Sequence, residues 1–103
     1  MAVPIACTLS AADLSRRREV FAAVRATCRR VEEAEDGVRL TFDAAEGMLS
    51  RLADLIDLER TCCRFLTFRL EVAPDGGPIT LTLSGPPGTA AFLRGELGLE
   101  ASG

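Results

Sequence analysis

Two adjacent cysteines, Cys62 and Cys63, follow Glu59 by three and four residues. On a helix that spacing sets the carboxylate and the thiols on one side. Vicinal cysteines are poorly placed to bond each other, because their side chains diverge and the small ring strains the peptide between them. Both can instead turn toward one soft ion at a helix end. Cys7 stands three residues ahead of Ser10, the expected N-cap of a first helix, where a helix N-terminus favours the thiolate. If two helices pack antiparallel, the start of the first meets the end of the second, and Cys7 joins Cys62 and Cys63 in a three-thiolate site. The sequence contains no histidine, so such a site suits mercuric, cuprous or trivalent arsenic ions, and zinc if Glu59 supplies a fourth ligand. No organic cofactor is expected.

Each of these residues also has a plainer reading. Free cysteines are often small buried hydrophobes, and Cys28, expected on the inner face near the end of the first helix, is read that way. Cys7 could equally tuck an N-terminal segment onto the core. Glu59 could pair with Arg64 or Arg69 as a structural ion pair. Against this, Glu59 continues the apolar stripe of Leu52 and Ile56, where a carboxylate is costly unless it meets an arginine, a thiol proton or a metal ion.

The elements that must hold these groups follow from capping, period and turn chemistry. Ser10 and Asp13 have the spacing of a helix cap and its acidic partner, ahead of Leu14, Phe21, Val24 and Cys28 at helical spacing; a first helix is expected from about Ala11 to Thr27. Val31 to Ala34 and Val38 to Phe42 flank Asp36-Gly37, whose residues tolerate the positive backbone angles of a tight hairpin. A second helix is expected from about Ala45 to Cys62, on the period of Leu49, Leu52, Leu55 and Ile56. Alternation from Phe65 to Val72 and from Ile79 to Ser84, around Pro74-Asp75-Gly76-Gly77-Pro78, marks a second hairpin. Gly85-Pro86-Pro87-Gly88 ends it, and Thr89 to Leu97 reads as a closing helix with Phe92 and Leu93 inward. The expected fold is α+β: helix, hairpin, helix, hairpin, helix, with one antiparallel four-stranded sheet and the helices packed on one face. Residues 1–97 are expected to form a single domain, and 98–103 a frayed tail.

With 103 residues, 48% of them hydrophobic, the chain can bury one modest core. Acidic residues outnumber basic ones by 15 to 12, and every basic residue is arginine, a balance that argues against a nucleic-acid partner. Histidine, lysine, asparagine, glutamine, tyrosine and tryptophan are all missing, a skew that suggests a GC-rich bacterial genome. The opening Met1–Ser10 has no basic n-region and only a brief apolar run, so neither a signal peptide nor a membrane partner is expected. The expectation is a cytoplasmic protein whose cysteines are reduced thiols. Arg16-Arg17-Arg18 and Arg29-Arg30 are neutralised by Glu19, Glu32 and Glu33 and read as solvated faces.

The run Glu59-Arg60-Thr61-Cys62-Cys63-Arg64-Phe65, the Phe68 to Val72 strand, Asp75-Gly76-Gly77-Pro78, and Ser84-Gly85-Pro86-Pro87-Gly88 before Phe92-Leu93 resemble a group of small bacterial proteins with a Glu-x-x-Cys-Cys-x-Phe core. The pattern also resembles a domain encoded beside, or fused to, metal-responsive regulators of the mercury-resistance type. The resemblance covers residues 5–97 and includes Cys7-Thr8-Leu9; where such relatives carry proline after the cysteine pair, this chain has Arg64.

The leading functional expectation is therefore a soft-metal trap, carrier or accessory sensor with Cys7, Cys62, Cys63 and Glu59 as metal-site residues. The alternative is a thiol-dependent redox enzyme or lyase in which Cys62 or Cys63 attacks, the other resolves and Glu59 relays protons. A third reading is an interaction domain with structural cysteines, forming a homodimer through an uncovered sheet face or edge.

Overall fold

The computed structural model describes the backbone of residues 11–97 and the side chains of residues 19–95 apart from Cys62. Cys7, the Ser10 cap and the C-terminal tail lie outside the described residues. The protein is α+β, with three helices and one antiparallel four-stranded sheet: α1 (Ala11–Ala26), β1 (Cys28–Ala34), β2 (Gly37–Phe42), α2 (Met48–Cys62), β3 (Thr67–Val72), β4 (Ile79–Ser84) and α3 (Thr89–Leu97). The strand order is β1-β2-β4-β3.

Period-two patterning divides the sheet into an apolar and a polar face. In register, Val38 stands opposite Leu83, Leu40 opposite Leu81 and Phe42 opposite Ile79, and all six are buried. Phe68 and Leu70 pair with Leu83 and Leu81 on that same face. The other face carries Arg39, Thr41, Arg69, Thr80 and Thr82, none of them buried. Against the apolar row pack Phe21 and Val24 of α1, Met48, Leu52 and Leu55 of α2, and Leu93 of α3, all in one core with the sheet residues.

Several boundaries differ from the sequence expectation for identifiable reasons. Cys28 is not on the inner face of α1: the helix closes one residue earlier, where the Thr27 backbone N–H and side-chain hydroxyl both donate to the Val24 carbonyl at 3.0 and 2.7 Å, and Cys28 opens β1 at a register irregularity before Arg30. Its thiol donates to the Arg30 carbonyl at 2.9 Å, and its side chain packs half-buried against the core. Helix α2 starts at Met48, not near Ala45, because Gly47 in the left-handed region (φ 79°) turns the chain first. That phase buries Met48 and leaves Leu49 44% exposed, so Leu49 belongs to the solvent face. Strand β3 begins at Thr67, since Arg64 and Phe65 form a turn.

The first hairpin turn also works differently from the Asp-Gly expectation. Asp36 takes the positive φ, 49°, while Gly37 already lies in β2 with no positive angle. Glycine is required there for space: a Cβ at position 37 would fall 1.9 Å from the Leu83 carbonyl oxygen of β4. Substitution must push β2 and β4 apart where both are buried.

Gly37→Ala is therefore expected to cost about 3 kcal/mol or to prevent folding, whereas Gly95→Ala, in α3 with open space around the added methyl, should stabilise by up to about 1 kcal/mol. Urea unfolding followed by far-UV circular dichroism measures both; a neutral Gly37→Ala would contradict the close β2–β4 approach.

Candidate functional site

Helix α2 ends on the cysteine pair because the chain leaves helical geometry at Cys63 (φ −106°, ψ 76°), whose N–H still donates to the Glu59 carbonyl at 2.6 Å. The following turn is closed by Leu66 N–H donating to the Cys63 carbonyl at 3.1 Å, and β3 starts at the next residue. This abrupt exit fixes Cys63 over the last helical turn, one turn beyond Glu59.

The buried stripe of α2 reads Met48, Leu52, Leu55, Glu59 and then Cys63, spacings of three and four that keep one face inward. Glu59 thus occupies a core position, and its side chain is fully buried, as is that of Cys63. The two meet: the Cys63 thiol donates to Glu59 Oε2 across 3.8 Å. Burial makes a carboxylate costly unless it is hydrogen-bonded or paired, and the Cys63 thiol is one donor that reaches it. The arrangement can carry out one step directly, transfer of the Cys63 thiol proton to Glu59 when the sulfur engages an electrophile or a soft cation.

The segment after the cysteine pair meets the loop before α3. Thr89 is fully buried and its hydroxyl donates to the Pro86 carbonyl at 2.7 Å, tying the first residue of α3 to the preceding loop. Gly85 fits against this joint: a Cβ there would meet Thr89 Oγ1 at 2.6 Å and the Phe65 carbonyl at 3.1 Å. Phe65, two residues after Cys63, packs edge-on against Phe92 of α3 with ring centroids 5.0 Å apart, a favoured aromatic geometry. The segment following the cysteine pair is thereby held by α3 and its loop. Thr89 is a buried residue that spacing alone does not mark; a hydroxyl residue opening a helix after a Gly-Pro-Pro-Gly turn is the signal the sequence offers.

Of the sequence-derived site residues, the structure brings Glu59 and Cys63 together. Cys62 ends α2 beside them in the chain, Cys7 lies outside the described residues, and among the described residues no group of three or more cysteine, aspartate or glutamate side chains converges as a metal site would. Cys28 is in β1 at the other end of the first hairpin, bonded locally to Arg30. Arg69, one suggested ion-pair partner for Glu59, projects from the polar face of the sheet, across from Thr82, and Arg64 is exposed. Among the described residues no helix is long and apolar enough to cross a membrane.

Comparison with known proteins finds no matching family model, no matching curated relative and no matching solved structure.

The burial contrast makes a direct prediction. In the native protein, alkylation by iodoacetamide followed by peptide mass mapping should modify half-buried Cys28 at least about tenfold faster than Cys63, and denaturation in urea should abolish the difference. Equal native rates would mean that Cys63 is not enclosed.

Proposed function

We propose that the protein binds a soft metal ion through cysteine thiolates at the end of α2, acting as a cytoplasmic trap, carrier or accessory sensor. The observation that carries the reading is the buried Glu59 carboxylate accepting a hydrogen bond from the Cys63 thiol, beside a second cysteine in the chain. Binding replaces the Cys63 S–H bond with a sulfur–metal bond, and the released proton passes to Glu59 Oε2; the charge left on the ion is then offset by thiolates in a water-poor environment. Cys62 and Cys7 are the further thiolate ligands in this proposal, with Glu59 as proton acceptor, or as fourth ligand for zinc.

The proposal also takes the element order as helix, hairpin, helix, hairpin, helix with all three helices on the apolar face of the sheet, so that the start of α1 lies toward the end of α2. It places the chain with the small bacterial proteins of the Glu-x-x-Cys-Cys-x-Phe pattern and with domains associated with mercury-type regulators. Complete burial of Cys63 favours a held ligand over an attacking thiol, which must reach its substrate; a thiol-dependent redox or lyase activity therefore stands second.

Anaerobic titration with mercuric, cuprous, zinc and arsenite ions against a competing chelator tests the reading. Cys62→Ser and Cys63→Ser should each abolish tight binding, Cys7→Ser should weaken it by at least about tenfold, and Cys28→Ser should leave it unchanged, because a protonated hydroxyl does not replace a thiolate toward a soft ion. Glu59→Gln should lower affinity while circular dichroism stays native. Metal uptake at background level, with the thiols freely titratable, would remove the proposal; damage from Cys28→Ser with a silent Cys7→Ser would move the third ligand to Cys28 at the start of β1.

A further inference from the structure

The two outer strands of the sheet are finished in different ways. β1 carries Arg29, Arg30, Glu32 and Glu33, has a register irregularity between Cys28 and Arg30, and is laced by ion pairs of Arg29 with Asp43 at 3.0 Å and of Glu32 with Arg39 at 3.1 Å. Irregular register and dense charge are the usual means of preventing a sheet edge from pairing. β3 lacks the irregular register, and its two charges, Arg69 and Glu71, are of opposite sign and alternate along one face. It pairs with β4 in unbroken register from Thr67 to Val72, contains no proline or glycine, and among the described residues has a strand on one side only. Its apolar residues are also incompletely covered: Phe68 and Leu70 are half-buried and Val72 is 54% exposed.

The direction of the free backbone groups follows from the ladder. Ala73 N–H donates to the Pro78 carbonyl at 3.1 Å, continuing the β3–β4 register, and alternation in an antiparallel ladder then points the N–H and C=O groups of Thr67, Arg69 and Glu71 toward β4. Those of Phe68, Leu70 and Val72 point outward.

We propose that β3 is a self-association edge, joined antiparallel to β3 of a second copy of this chain about a two-fold axis at Leu70. In that register Leu70 stands opposite the partner's Leu70 and exchanges backbone hydrogen bonds with it, while Phe68 stands opposite the partner's Val72, so the under-covered apolar face becomes continuous across the junction. On the polar face Arg69 stands opposite the partner's Glu71, and Glu71 opposite the partner's Arg69. The charges select this register. Moving the axis to residue 69 sets arginine against arginine, and moving it to residue 71 sets glutamate against glutamate, both unfavourable directly across a ladder. The second copy is thus argued from charge complementarity, and it requires nothing of the cysteine site.

A six-residue strand makes a small interface, so a reversible dimer dissociating in the range of about 1–100 µM is expected. Sedimentation equilibrium of the full chain, 11.0 kDa as a monomer, tests it across about 1 µM to 1 mM. Arg69→Glu and Glu71→Arg should each weaken association at least about tenfold, since each converts both cross-axis pairs to like charges, and the double variant Arg69→Glu/Glu71→Arg should restore it. Both positions are exposed, and far-UV circular dichroism checks that the variants fold. A monomer at every concentration, a dimer indifferent to the single variants, or a double variant no better than either single one would each overturn the proposal.

Discussion

The fold rests on β2 and β4 lying side by side in the middle of the sheet, with Cys63 in the same core as their inward row. Their inward row, Val38 with Leu83, Leu40 with Leu81 and Phe42 with Ile79, is buried along its whole length and supplies the largest part of the surface against which the helices pack. Burying side chains of this size contributes about 1.5–3 kcal/mol each, enough to tolerate an unfavourable group elsewhere in the core. The close approach of Gly37 to the Leu83 carbonyl holds the two strands at their ladder spacing, and the Gly85 N–H donating to the Asp36 carbonyl at 3.2 Å ties the end of β4 to the first turn. The loop that leads from there into α3 is the one that flanks Phe65 after the cysteine pair.

The unfavourable group is the Glu59 carboxylate. On an apolar stripe the cheapest residue is another leucine, and burial of a charge costs several kcal/mol before any partner is counted. The Cys63 thiol at 3.8 Å is a weak donor, and it is one of the groups set against this carboxylate. A buried polar group of this kind is held by the well-packed core around it.

Much of this was legible in the chain. Hydrophobic period located α2 and the β3–β4 pair, and Glu59 was identifiable as a carboxylate on an apolar stripe beside a cysteine pair. What escaped was phase and close contact. Leu49 and Met48 are adjacent apolar residues, and only the left-handed turn at Gly47 decides which faces inward. Cys28 fits the helical period of Phe21 and Val24 equally well, and the competing influence was the Thr27 hydroxyl capping the Val24 carbonyl, a local side-chain bond that ends the helix. The roles of Gly37 and Gly85 depend on carbonyls and side chains brought in from distant segments, and one-dimensional spacing carries no trace of those. Convergence of Cys7 on the pair rests on residues outside those described.

The strand order β1-β2-β4-β3 has a consequence for how the chain folds as it is made. The strands enter in sequence, but β4 takes the place between β2 and β3, so the central pairing is also the last to become available. Until Ile79–Ser84 has been synthesised, β2 keeps one edge open, its inward row lacks the opposing strand, and Glu59 has no completed core around it. Long-range pairing of this kind slows folding and leaves apolar surface exposed during synthesis. The pairing that joins the first hairpin to the second, β2 with β4, therefore waits for the last strand to be made.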